Sequence, residues 1–333
     1  MQPEAPETFP AGSGKRWKVI VGTLAGIFLG GVFLLAVYGK VFDPQAFAEA
    51  IRADGLDFLI PSEPLAWLVL AAEAAIGLAL VLNLRRLWVL VPTALLVAFF
   101  LFLTGKVYVA WLNGEEPAMA SCGCFGNLVD HNPAEAFWRD VILMLPATIL
   151  AFLGRARGAP FPWARTFAVA LFAVASGVFA WKAPALPLDD FATRLKPGSM
   201  ASEICVGDGE DEICLTSPAV EPLLATGSHL VVIADLADEA FIQAVNDQAD
   251  ALYERDGDPM LPQVVVLHSG KKGGEAAMNF PFLTGGVPLN LKYAPRPLLR
   301  PLYRSLPRTF LLVDGRVLRT WSGFPPLAGL RAE

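Results

Sequence analysis

Five apolar runs, each long enough to cross a lipid bilayer, constrain this chain more than any other feature. They lie at about 17–39, 64–83, 87–112, 138–154 and 162–182. A helix rises 1.5 Å per residue and the hydrocarbon layer is about 30 Å thick, so roughly 20 residues span it. The fourth run is the shortest, and Pro146 interrupts it. Proline is tolerated in membrane helices where neighbours satisfy the freed carbonyl. Basic residues precede the first run, but it is longer than a secretory h-region and no small-residue cleavage site follows, so it reads as an uncleaved helix. Composition agrees: 17% of the 333 residues are charged, against about 25% in soluble proteins. The net charge of −6 points away from nucleic acid, which requires a basic patch, and leaves the lipid bilayer as the first partner.

The connecting segments set an orientation. Lys15, Arg16 and Lys18 stand before or at the very start of the first run, Arg85 and Arg86 separate the second from the third, and Arg155, Arg157 and Arg165 lie between the fourth and the fifth or in the first turn of the fifth. With five spans all three clusters fall on one face, which the positive-inside rule makes cytoplasmic. The opposite connections hold only Lys40 and Arg52 in 40–63 and no cation in 113–137. The expected layout is a cytoplasmic tail (1–16), a transmembrane helical domain (17–182) with an outer loop at 113–137, a linker (183–199) and an extracytoplasmic domain (200–333). That is the layout of a multi-pass membrane protein whose C-terminal domain lies outside the cytoplasm.

Four cysteines form two close pairs, Cys122/Cys124 and Cys205/Cys214. The second pair lies in "SEICVGDGEDEICLT", two short β-type runs around a Gly/Asp-rich turn. A two-residue turn at Gly209-Glu210 sets Cys205 opposite Cys214 at a non-hydrogen-bonded position, about 4.5 Å apart at Cα, within the range a disulfide accepts. A structural disulfide is expected; two reduced core cysteines are the competing reading.

Beyond them, "HLVVIADL" reads as a strand, 238–255 as a helix, "PQVVVLHS" as a strand and "RTFLLVDGRVLRTWSG" as a hairpin turning at Asp314-Gly315. This order resembles a thioredoxin-like α/β domain. The resemblance makes Pro307, just before the hairpin, the candidate cis-proline. Such oxidoreductases carry C-x-x-C after the first central strand. The matching stretch here, "IADLADEAF", has no cysteine, so this domain lacks the nucleophile for disulfide exchange. Asp235 and Asp238 read as helix N-caps rather than catalytic acids.

The first pair lies in "MASCGCFGNLVDH", between the third and fourth runs. It has three readings: a redox couple, part of a metal site, or packing cysteines. A metal site usually needs four ligands, and Cys122, Cys124 and His131 offer three, so no metal is assigned. A C-x-C disulfide closes a small ring, whose strain makes it readily exchanged. Gly123 and Gly126 give the backbone freedom there. Exchange also needs a thiolate; Lys40 and Lys106, near the outer ends of the first and third runs, are candidates for tuning it. Glu73 lies mid-way along the second run, where a carboxylate is costly and marks a candidate functional site. It either relays protons or pairs with a lysine, or it makes a structural hydrogen bond.

With "YGKVFDPQAFAEAI", "AAEAAIGLAL" and above all "SCGCFG" before the fourth run, residues 17–155 resemble the MauE/DoxX group of membrane proteins. The resemblance implies a four-helix bundle associated with thiol-disulfide chemistry outside the cytoplasm. The methylamine-utilisation member is implicated in maturing a disulfide-rich periplasmic enzyme alongside a thioredoxin-like protein. The fifth run falls outside that bundle and is read as returning the chain to the outer side. The expected fold is therefore a MauE/DoxX-like core, a fifth span and a degenerate thioredoxin-like domain. The expected activity is thiol-disulfide exchange by Cys122 and Cys124 with an extracytoplasmic protein substrate or thioredoxin-like partner. A quinone acceptor is compatible with this chemistry, though no motif marks one. The alternative is a non-catalytic anchor or assembly subunit whose C-terminal domain is a binding module.

Overall fold

A computed structural model describes residues 13–113, 133–155, 161–207, 212–256, 258, 260–270, 273–328 and 330. The chain divides into two compact units, ending at Leu186 and beginning at Pro187.

The first unit is helical: α1 (Ser13–Val41), α2 (Pro44–Ala53), α3 (Ser62–Val81), α4 (Leu87–Leu112), α5 (Pro133–Leu153) and α6 (Trp163–Lys182). All but α2 are long and apolar enough to cross a membrane. Helix α5 starts five residues before the apolar run does, its first turn carrying the polar Glu135. It continues through Pro146, as α4 does through Pro92.

Helix α1 packs against α3 and α5, and α4 against α5 and α3, closing a ring of four. Small residues set the close approaches, as expected where lipid supplies no hydrophobic drive between helices. A Cβ on Gly30 would stand 2.6 Å from the Gly77 carbonyl oxygen, and one on Gly22 the same distance from Gly154 Cα. The opposite faces present large apolar side chains such as Leu24, Leu35, Leu95, Phe102 and Ile149, as a lipid-facing surface requires.

Helix α6 does more than return the chain. It packs along α3, where Gly177 lies against Ala71, it buries Val169, Ser176 and Ala180, and Phe179 meets Phe42 edge-on. Helix α2, which falls within a connection in the sequence reading, begins with Asp43 accepting a hydrogen bond from Ala46 N and Pro44 in its first turn. It sets Ala48 and Ile51 against Ala66 of α3.

The second unit centres on a five-stranded sheet of order β5-β4-β3-β6-β7, formed by β3 (Ser228–Ile233), β4 (Gln263–His268), β5 (Asn290–Tyr293), β6 (Arg308–Val313) and β7 (Arg316–Ser322). Strands β3, β4 and β5 run parallel, and β6 and β7 form an antiparallel hairpin beside β3. Both faces are covered. Val231, Ile233, Val265 and Leu267 point into one apolar cluster, and Leu230, Val232, Val264 and Val266 into another. That explains why β3 and β4 are continuously apolar instead of alternating. Asp314 and Gly315 turn the hairpin with φ of 48° and 75°, the left-handed pair of a type I′ turn.

Three features depart from the sequence reading. The single helix of 238–255 is two, α8 (Glu239–Asn246) and α9 (Ala249–Arg255). Gln248, at the break, donates to Pro325 O and accepts from Leu327 N, so a tertiary contact outweighs helix continuity. Between β4 and β5 lies α10 (Glu275–Leu283), and neither α10 nor β5 stands out from the sequence pattern. The stretch read as a linker is also partly folded: α7 (Asp189–Ala192) is held by Arg308, whose Nη2 donates to Asp190 Oδ1 at 3.0 Å. Ser322 Oγ and Thr320 Oγ1 donate to Asp189 and Asp190. The short helix α11 (Arg296–Leu299) follows β5, and the small hairpin of β1 (Cys205–Val206) and β2 (Ile213–Cys214) precedes β3.

Candidate functional site

Within the helical unit, Lys40 and Glu73 form an ion pair sealed from solvent. Lys40 is the next-to-last residue of α1, and because Cβ bonds tilt toward a helix N-terminus, its side chain is directed back into the bundle. Its Nζ donates to both carboxylate oxygens of Glu73, at 2.7 and 2.9 Å, and both side chains are essentially inaccessible. Phe47 of α2 and Phe100 of α4 place their rings 4.7 and 5.3 Å from the ammonium. Four helices thus contribute to one buried charge pair. Glu73 is the twelfth residue of α3, about 16 Å along that helix. Two hydrogen bonds and two ring faces offset the desolvation that a buried pair costs. A carboxylate and an ammonium in contact can exchange a proton between themselves at no change of net charge.

Lys106 takes no part in this pair. Its Nζ meets Asp54 Oδ1, just past α2, at 3.0 Å in a partly exposed contact, and so ties α4 to the end of α2. Two buried carboxylates were not singled out from the sequence. Asp43 caps α2, and Asp140 of α5 lies 3.6 Å from Arg139 Nε. Asp140 carried a usable signal, a carboxylate inside an apolar run, the same feature that marked Glu73.

At the other end of the bundle, Arg85 is buried and donates to Asn83 Oδ1 at 2.6 Å and to Val19 O at 3.2 Å. Arg165 donates to Leu82 O, and Arg86 sits over the Phe161 ring. Arg85, counted above as a loop charge, is therefore also a packing element between α1 and the end of α3.

Cys122, Cys124 and His131 lie outside the described residues. The residues that flank their segment are Asn113, the C-cap of α4, and Pro133, which opens α5. These helix ends share the Lys106 side of the bundle, where Tyr108 of α4 stacks on Phe137 of α5 at 5.2 Å.

In the second unit, Cys205 and Cys214 are directly paired in the β1–β2 hairpin and joined by a disulfide, with Cα atoms 3.9 Å apart. The Glu212 carboxylate lies within 4.8 Å of both sulfurs, but sulfurs bonded to each other offer no thiolate to a metal. The Leu306–Pro307 bond is cis. It immediately precedes β6, whose Arg308 pairs with Ile233 at the end of β3. The chain that follows β3 there is stabilised by carboxylates: Asp235 accepts from Ala237 N and Asp238, the N-cap of α8, from Ala240 N. No thiol stands among these residues.

No curated protein and no solved structure matches the chain. Residues 18–154, which hold α1 to α5, Lys40, Glu73, Lys106 and the C-G-C segment but not α6 or the second unit, match the family model described as methylamine utilisation protein MauE.

Proposed function

We propose that this chain is a multi-pass membrane protein that carries out thiol-disulfide exchange outside the cytoplasm, with Cys122 and Cys124 as the reacting pair. The observation that carries the reading is the family match over residues 18–154. It encloses both the C-G-C sequence and the buried Lys40–Glu73 pair, and an ionisable residue inside a membrane span marks a candidate functional site. In the exchange, the thiolate of one cysteine attacks a disulfide of an extracytoplasmic protein and releases one of its sulfurs as a thiolate. The second cysteine then attacks the mixed disulfide, leaving Cys122–Cys124 oxidised and the partner as a dithiol; the reverse sequence oxidises the partner. Lys40 and Glu73 serve as a proton reserve for these thiols, and Lys106 is the candidate to bias one of them toward thiolate. A quinone is compatible as terminal acceptor and is not required for the exchange itself.

The second unit supports a docking role in this reading. A strand-helix-strand core followed by a hairpin, with a cis-proline at the hairpin entrance, resembles a thioredoxin-like domain that lacks its cysteines. Loop charges favour an N-terminus in the cytoplasm and this unit outside it, and the family match supports reading that space as the periplasm of a bacterial inner membrane. The absence of a thiol after β3 also favours a second reading, a non-catalytic assembly subunit whose second unit binds a partner.

Differential alkylation in native membranes, read by mass spectrometry, separates the two. Exchange predicts that Cys122 and Cys124 label only after reduction, or in a fraction that shifts with the redox state of the cell, and that Cys122→Ser or Cys124→Ser abolishes activity. If neither cysteine is ever alkylated, or if a double serine variant keeps full function and an unchanged complex, the catalytic reading fails and the subunit reading takes its place.

A further inference from the structure

Between α2 and α3 the chain presents Phe58, Leu59 and Ile60 to the outside, with 77%, 82% and 41% of their surfaces exposed. Three consecutive large apolar side chains at a loop tip are costly in water, about 25 cal/mol per Å² of apolar surface. The base of the same loop is polar and fastened: Asp57 faces Arg52, Arg52 donates to Ser62 Oγ, and Asp54 pairs with Lys106. The loop is thus held at its root and apolar at its tip.

Helix α3 shows what covers the tip. It has 20 residues, Ser62 to Val81, so it is about 30 Å long, equal to the hydrocarbon thickness. Its first residue, Ser62, therefore stands at the edge of the hydrocarbon, and Phe58 to Ile60 precede it by two to four residues. A bilayer with its headgroups is about 40–45 Å thick, which leaves roughly 5–7 Å of interface on each side. The tip cannot be far from that layer. On α3 itself Leu68, six residues past Ser62, is 62% exposed, as a lipid-facing side chain would be.

We infer that Phe58, Leu59 and Ile60 insert into the lipid interface and anchor the α2–α3 loop there. Insertion fixes α2, and with it Phe47, over the buried ammonium of Lys40. The inference rests on the membrane-spanning reading of α3 but not on thiol chemistry.

The test places a nitroxide label at Leu59→Cys and, separately, at Phe58→Cys and Leu68→Cys, each in the full chain carrying Cys122→Ser and Cys124→Ser. The proteins are reconstituted in phosphatidylethanolamine and phosphatidylglycerol vesicles. Collision with oxygen, which concentrates in lipid, is compared with collision with a water-soluble nickel chelate. Insertion gives labels at 58 and 59 that meet oxygen more than nickel, as the label at 68 does. Labels at 58 and 59 that favour nickel overturn the inference while the spanning reading stands. Labels there that are shielded from both reagents also overturn it, because a protein surface then covers the tip. A label at 68 that favours nickel removes the spanning reading and this inference together.

Discussion

Lys40 Nζ lies 2.7 and 2.9 Å from the two oxygens of Glu73, although the two residues are 33 positions apart and belong to different helices. Removing one partner leaves an uncompensated charge among apolar side chains, which typically costs about 3–5 kcal/mol. Glu73→Leu and Lys40→Met alone should each lower the melting temperature of the detergent-solubilised protein sharply. The double variant Lys40→Met/Glu73→Leu should recover most of that loss, because apolar replacement of a whole buried pair is often neutral. If the double variant is as unstable as the two losses added together, the residues are not coupled as described.

The glycines of α1 give an internally controlled comparison. Gly30 lies against the backbone of Gly77, whereas an added Cβ on Gly31 meets nothing within 4 Å. Gly30→Ala should destabilise by about 1–3 kcal/mol through overpacking, and Gly31→Ala should stay within about 0.5 kcal/mol of the parent. Thermal unfolding of both variants in one detergent measures the difference.

These two sites also show how far the sequence could be read. Five spans are visible because twenty apolar residues in a row leave few other outcomes. Which helix each one packs on is not visible, because in a lipid environment a stripe of small residues and a face of leucines are both apolar. The integration of α6 against α3 through Gly177 and Ala71 is for that reason a structural finding. The partner of Glu73 was open among several lysines and donors, and only the fold selects Lys40. Helix α2 was legible in principle, since Asp43-Pro44 is a helix-start signal, but at 10 residues it is easily read as loop. The break at Gln248 was not legible at all, because its cause lies 77 and 79 residues away at Pro325 and Leu327.

The second unit should lose stability in acid in two stages. Burial in β4 pushes the His268 imidazole below its ordinary value, so the folded form stays neutral while the unfolded chain takes up a proton below about pH 6.5. Stability is therefore lost as pH falls from about 6.5 toward the folded value. Burial also raises the Glu221 carboxyl, but hydrogen bonds from Lys292, Leu223 N and Asn290, with the charge of Lys292, outweigh it and hold the group below its ordinary range. That contribution is present above about pH 4.3 and disappears as pH falls through the folded value. Hydrogen exchange of the β3 and β4 amides in the full chain, followed from about pH 7.5 to about pH 2.5 so that it passes below the ordinary carboxylate range, reads both stages. His268→Gln should remove the first and leave the second. A pH profile that His268→Gln does not alter excludes His268 as the cause.

The Cys205–Cys214 disulfide closes a loop over a separation of 9 residues, and a short closed loop of this kind is worth about 2–3 kcal/mol on chain-entropy grounds. Cys205→Ser/Cys214→Ser should therefore speed exchange of the β1–β2 hairpin amides and lower the unfolding temperature of the second unit. It should also leave the redox distribution of Cys122 and Cys124 in the membrane unchanged. That second measurement separates a brace from a relay. If the two pairs pass electrons to each other, removing Cys205 and Cys214 will shift the alkylated fraction of Cys122 and Cys124. A purely structural bond will show its loss only in stability.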